Sequence, residues 1–102
     1  MHAVLRINSF DETKLAEAQE DMREFDRLHA AQSGFVGNIT VDLGEGRRFV
    51  LNAWRSAEDA QAGLSVLGRE VARLIEPLMS SPSEFIGTGT IINSDFVPPA
   101  SE

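Results

Sequence analysis

The sequence predicts an α+β fold of the ferredoxin-like kind, a four-stranded antiparallel sheet built in the order βαββαβ. Three observations lead there. Apolar residues alternate with period two in four stretches and recur at spacings of three and four in the two stretches between them. A short turn, Gly44, Glu45 and Gly46, joins the two middle alternating runs as a hairpin. At 102 residues, with 42% apolar and 25% charged side chains, the chain is the size of one domain with one modest core.

Taken in order, HAVLRINSF (2–10) reads as a strand with Ala3, Leu5 and Ile7 on one face and His2, Val4, Arg6, Asn8 and Phe10 on the other. Asp11 or Thr13 can cap the helix that follows, in which Leu15, Ala18, Met22, Phe25 and His29 form a stripe opposite a solvated acidic face. The pattern predicts one long helix to about Ala31, stopped by Ser33 and Gly34. FVGNITVDL and RRFVLNAWR are the hairpin strands. Ser56 with Asp59 makes a capping box, and the acids at 58 and 59 suit the positive end of a helix dipole, so a second helix starts at about Ala57. Ala60, Leu64, Leu67, Val71, Leu74 and Leu78 supply its apolar face. Gly63 and Gly68 predict a break or bend between them, since each weakens a helix by up to about 1 kcal/mol relative to alanine. Pro77 and Pro82 close the helical region, and EFIGTGTIINSD (84–95) is the fourth strand. Residues 1–95 are thus the expected domain and 96–102, FVPPASE, a tail.

Charge and composition narrow the function classes. Nine basic and sixteen acidic residues give 9 − 16 = −7. Such a surface repels phosphate, which disfavours nucleic acid and anionic membranes as partners. The absence of cysteine removes disulfides, thiolate metal sites and a cysteine nucleophile, and makes the cytoplasm the expected location. No run approaches the roughly 20 apolar residues of a membrane span, and MHAVLRINSF lacks the pattern of a signal peptide. Both faces of the expected sheet carry apolar residues: Phe49, Leu51 and Ala53 oppose Val50 and Trp54, and Phe85 and Ile91 oppose Ile86 and Ile92. Helices cover one face; the economical cover for the other is a second copy, a homodimer.

SGF at 33–35 opening strand two, the hairpin, and WRSAEDA at 54–60 resemble the antibiotic-biosynthesis monooxygenase family of dimeric α/β barrels, and the likeness in element order spans nearly the whole chain. The resemblance implies a pocket between sheet and helices in each subunit. The family that the chain resembles includes cofactor-independent oxygenases of polyketide-type aromatics, haem-degrading enzymes, quinol oxygenases and many members without known activity. Haem-degrading relatives use an asparagine on strand one, which Asn8 could match, and a histidine on helix two as iron ligand. Residues 56–83 contain no histidine, so the haem reading loses its axial ligand. The aromatic oxygenases carry a tryptophan closing strand three, matched by Trp54, and an asparagine four residues earlier, where this chain has Val50. Asn52 lies one step along the same strand face.

Cofactor-independent oxygenation needs a base to remove an acidic C–H proton and donors to hold the resulting anion while dioxygen reacts with it. The candidates are Asn52 and Trp54 as donors and His29 as base, the chain having no tyrosine, with Arg6 and Asn8 binding substrate. No cofactor is expected. No metal site is expected either, because the two histidines and the carboxylates lack ligand spacing, and GEGRR lacks the strand-to-helix context of a phosphate loop. Each candidate also has a structural reading. Trp54 could anchor a helix to the sheet, the asparagines could be satisfied within strands, His29 could sit partly exposed at an interface, and Arg6 could be solvated or paired between subunits. Two functions follow: a monooxygenase-like oxidoreductase acting on a small hydrophobic, enolisable aromatic or quinol metabolite, or a non-catalytic dimeric barrel that binds a small ligand or is purely structural.

Overall fold

Alternating apolar residues produce four strands in a computed structural model that describes residues 1–95. They are β1 (His2–Phe10), β2 (Phe35–Gly44), β3 (Arg47–Trp54) and β4 (Met79–Thr90). All pairings are antiparallel in the order β2-β3-β1-β4, so the predicted ferredoxin-like sheet is present with β1 and β3 at its centre. The hairpin turns where the sequence places it, with positive φ at Gly44, Glu45 and Gly46. At Gly46 the backbone is fixed by Phe10, whose N–H donates to the Gly46 carbonyl at 2.8 Å. A Cβ there would stand 2.2 Å from the Phe10 carbonyl oxygen. The expected tail, 96–102, lies outside the described residues.

The first helical stretch is two helices, not one. Asp11 caps α1 (Glu12–Glu17), its side chain accepting from the Lys14 N–H, and α2 (Gln19–Ala30) follows after Ala18. The interruption has a local cause: the Gln19 side-chain amide donates to the Leu15 carbonyl at 3.0 Å, and Ala18 N–H takes the same carbonyl at 3.2 Å. A side chain inserted into the helical ladder bends it. Leu15 and His29 nonetheless stay on the buried side.

Ser56 caps α3 (Ala57–Glu70) as expected, accepting from Asp59 N–H at 3.0 Å. The helix passes through Gly63 and Gly68 without the predicted break. Gly63 is required by packing, since a Cβ would lie 2.4 Å from Trp54 Cη2, so the cost in helix propensity is offset by close approach to the indole. The ladder instead widens to a π turn at Val71–Ile75 and tightens to a 3₁₀ turn at Glu76–Leu78, which contains Pro77. β4 then begins at Met79, five residues before the predicted start at 84, and ends at Thr90. Pro82 therefore lies inside the strand. It is tolerated because β4 is an edge strand whose register with β1 is irregular there, between the pairs Ile7–Glu84 and Ser9–Ser81.

Two buried clusters fix the helices on one sheet face. Phe10, Leu15, Leu74, Ile75 and Leu78 form one; Val4, Trp54 and Ala60, with Phe35 and Leu64 against them, form the other. The opposite face carries apolar pairs in register across three strands, Leu5 with Leu51 and Ile39, and Ile7 with Phe49 and Val41; Ile39 and Val41 are exposed. A bulge between Leu5 and Arg6 in the β1–β4 pairing puts Phe85 beside Arg6, so the simple alternation expected for β4 does not hold.

Candidate functional site

Register sorts the helix-facing side of the sheet into rows about 7 Å apart. The first holds Phe35, Trp54, His2 and Thr90; the second Asn38, Asn52, Val4 and Thr88; the third Thr40, Val50, Arg6 and Phe85; the fourth Asp42, Arg48 and Asn8. Four of the five sequence candidates thus share one face, and His29 on α2 packs against that face. They do not form one cluster but three groups.

His29 and Trp54 meet in an aromatic group. Their ring centroids are 5.4 Å apart; Phe35 stands 4.6 Å from His29 and 5.3 Å from Trp54, and Phe25 5.7 Å from His29. Trp54 is fully buried and His29 is 5% exposed, which corrects the reading of His29 as a partly exposed interfacial residue. Burial pushes the His29 pKa below its ordinary value of 6.5, against smaller upward contributions from its own backbone and from Asp26. The imidazole is therefore held neutral, with a ring nitrogen lone pair available. His29 Nδ1 and Trp54 Nε1 are both buried without a hydrogen-bond partner. Two unpaired buried polar atoms in contacting rings are costly unless something bonds them.

Asn52, the second group, donates through Nδ2 to Asn38 Oδ1 across the β2–β3 pair. One amide N–H remains beyond that bond. The third group lies at the β1–β4 junction. Ser83 donates its hydroxyl to Asn8 Oδ1, and Arg6 Nη1 donates to Ser83 at 3.4 Å while its guanidinium lies 5.3 Å from the Phe85 ring centroid. Arg55 is exposed. No group of three or more His, Cys, Asp or Glu side chains among the described residues is placed to hold a metal ion.

The sequence reading missed Asn38 and Ser83. Asn38 depends on a register detail: the hairpin closes at Gly44 and Arg47, and a bulge between Asp42 and Gly44 brings Asn38 opposite Asn52. Ser83 was hidden by the late start assigned to strand four.

Neither a known protein-family profile nor a curated protein sequence matches the chain. Solved structures do. A Nitrosomonas europaea protein named as an antibiotic biosynthesis monooxygenase superimposes with a TM-score of 0.71 at 14% identity, covering 91% of this chain and 100% of that one. The protein has the antibiotic biosynthesis monooxygenase fold. SnoaB from Streptomyces nogalater, a cofactor-independent oxygenase, gives a TM-score of 0.70 at 14% identity over 92% of this chain and 95% of its own. A Caulobacter crescentus protein named for the same monooxygenases gives 0.71 at 15% identity over 90% of each chain. No helix among the described residues is long and apolar enough to cross a membrane.

Proposed function

We propose that the protein is a cofactor-independent monooxygenase-like enzyme acting on a small hydrophobic, enolisable aromatic or quinol-like metabolite. The observation that carries this reading is the pair of unpaired ring nitrogens on buried His29 and Trp54, beside a sheet face that also presents Asn52, Arg6 and Asn8. Neutral His29 removes the C–H proton. Trp54 Nε1–H and the free N–H of Asn52 donate to the oxygen on which the anion's charge accumulates. The anion passes one electron to dioxygen, and the two radicals join in a C–O bond to give a peroxide that takes the proton back from His29. Loss of the second C–H proton with hydroxide leaves a carbonyl and water. The balance is CH₂ + O₂ → C=O + H₂O, with no external reductant.

The reading carries a homodimer in the cytoplasm. Its interface is the helix-free sheet face, where Leu5, Ile7, Phe49 and Leu51 line up with exposed Ile39 and Val41. A dimeric mass in light scattering at micromolar concentration is expected; a monomer removes this part.

Oxygen uptake with anthrone or a hydroquinone tests the chemistry. Asn52→Ala and His29→Ala are each expected to lower the rate by about 100-fold, the usual scale for losing a positioned donor or base. Equal rates in all three proteins remove the mechanism. The second reading, a non-catalytic barrel, draws on the burial of the aromatic group itself, which suits Trp54 as an anchor between sheet and α3. It predicts no oxygen uptake by any of the three.

A further inference from the structure

Six arginines among the described residues lack an ion pair: Arg6, Arg27, Arg47, Arg48, Arg55 and Arg69, the pairs being Arg23 with Glu20 and Arg73 with Glu24 and Glu70. Four of the six are exposed, where water solvates a guanidinium at little cost. Arg6 and Arg48 differ, being drawn partly into the fold on the same helix-facing side of the sheet. Arg6 is paired in register with Val50, and Arg48 with Asn8, so the two are diagonal neighbours across β1 and β3, at a typical Cβ separation of about 7 Å. Each lies over an aromatic ring, Arg6 at 5.3 Å from Phe85 and Arg48 at 5.8 Å from Phe10. Stacking holds a guanidinium's face and leaves its edge of N–H donors free.

Two like charges side by side repel, and a chain of net charge −7 has no shortage of carboxylates to neutralise them. None does. Asp42 stands opposite Arg48 in register, but its carboxylate accepts from Gly44 N–H at 2.8 Å and makes no ion pair with Arg48. Glu84 pairs in register with Ile7, one residue out of step with Arg6 and so directed to the other face. The polar neighbours that do contact Arg6 and its row are neutral: Ser83 and Asn8.

We infer that Arg6 and Arg48 form a binding site for a carboxylate carried by the substrate, with Ser83 and Asn8 setting the Arg6 side chain. The inference rests on the oxygenase reading of the same face and narrows its substrate class to aromatic carboxylic acids. Asn52 lies two residues from the Arg6 row and four from Arg48 along β3, about 7 to 13 Å. A fused two- or three-ring skeleton spans that length. Its acid group would rest on the arginines while its reactive carbon lay toward Asn52 and the His29–Trp54 pair.

Calorimetric binding of 2-naphthoate and of its neutral isostere 2-naphthamide tests this. The native protein is expected to bind the acid at least tenfold more tightly. Arg48→Gln and Arg6→Gln should each erase most of that preference, lowering naphthoate affinity far more than naphthamide affinity, and raising salt should weaken chiefly naphthoate. Equal affinities for acid and amide in the native protein, or a preference that survives both substitutions, overturns the site. Oxygen uptake separates this outcome from failure of the enzyme reading. Oxidation of neutral anthrone without any acid preference sinks the arginine site alone; acid preference without oxidation of any substrate sinks the oxygenase alone.

Discussion

The two ends of the helix-facing sheet surface are built on opposite plans. At the aromatic end, Trp54, Phe35 and His29 pack ring against ring under Gly63, and the buried His29 Nδ1 and Trp54 Nε1 have no hydrogen-bond partner. At the third and fourth rows, hydrogen bonds join Arg6, Asn8 and Ser83, which remain half-exposed, while Arg6 and Arg48 have no carboxylate paired with them among the described residues. The dry end is tight and leaves two buried ring nitrogens unpaired; the wet end is open to water and leaves two positive charges unneutralised. On the proposed reading, a substrate that joins them brings an apolar body to one and charge to the other.

The largest effects should come from breaking the dry end. Trp54→Ala is expected to cost about 3–5 kcal/mol in urea unfolding, the usual range for emptying a buried aromatic site. Gly63→Ala should cost about 1–3 kcal/mol, because the new methyl meets Trp54 Cη2 at 2.4 Å and the rigid indole cannot yield. The double variant sharpens the point. With the indole gone, alanine at 63 regains its advantage in an α-helix, about 1 kcal/mol, so the same change should stabilise the Trp54→Ala background. Additive losses in the double variant would mean that Gly63 is needed for another reason.

Those residues also mark how far the sequence could be read. Strand periodicity, the Gly44–Gly46 turn and the Asp11 and Ser56 caps are local signals, and each led to the element now present. Gly63 misled because its role is tertiary: propensity registers the missing side chain but not the indole that fills the space. The break at Ala18 was invisible because Gln19 bonding to the Leu15 carbonyl competes with an apolar stripe that continues regardless. For the site, alternation put Arg6 and Asn8 on one face of β1 and Asn52 and Trp54 on one face of β3; that the two pairs share a sheet face follows only from the register between the strands. Alternation could not place Ser83 or Phe85, since both depend on bulges in β4 that displace register.

A smaller, pH-dependent effect distinguishes the ends next. His29 has its pKa lowered by burial, so the folded state binds fewer protons than the unfolded state in the window below 6.5. Stability from this group is full above pH 6.5 and falls as pH drops through that value toward the lower folded pKa, below which the loss is constant. His29→Phe keeps a ring and removes the titration. The stability of the native protein relative to this variant, followed by thermal unfolding from pH 8 to pH 5, should decline as the solution becomes acidic. A difference that stays flat across the window would mean that His29 is not held neutral by the fold, and the base assignment would go with it.

The smallest effect should come from the wet end. Ser83→Ala removes the donor to Asn8 Oδ1 and the acceptor that Arg6 contacts at 3.4 Å. Because both partners are half-exposed, water can replace the hydroxyl, and the expected cost is about 0.5 kcal/mol, the low end for one intramolecular hydrogen bond. A dry junction would instead leave a buried amide oxygen unpaired and cost about 1–3 kcal/mol. The two ends are therefore separable by a single measurement: a loss in the larger range would place Asn8 and Arg6 in the packed interior, and the polar rows would cease to be a surface open to a ligand.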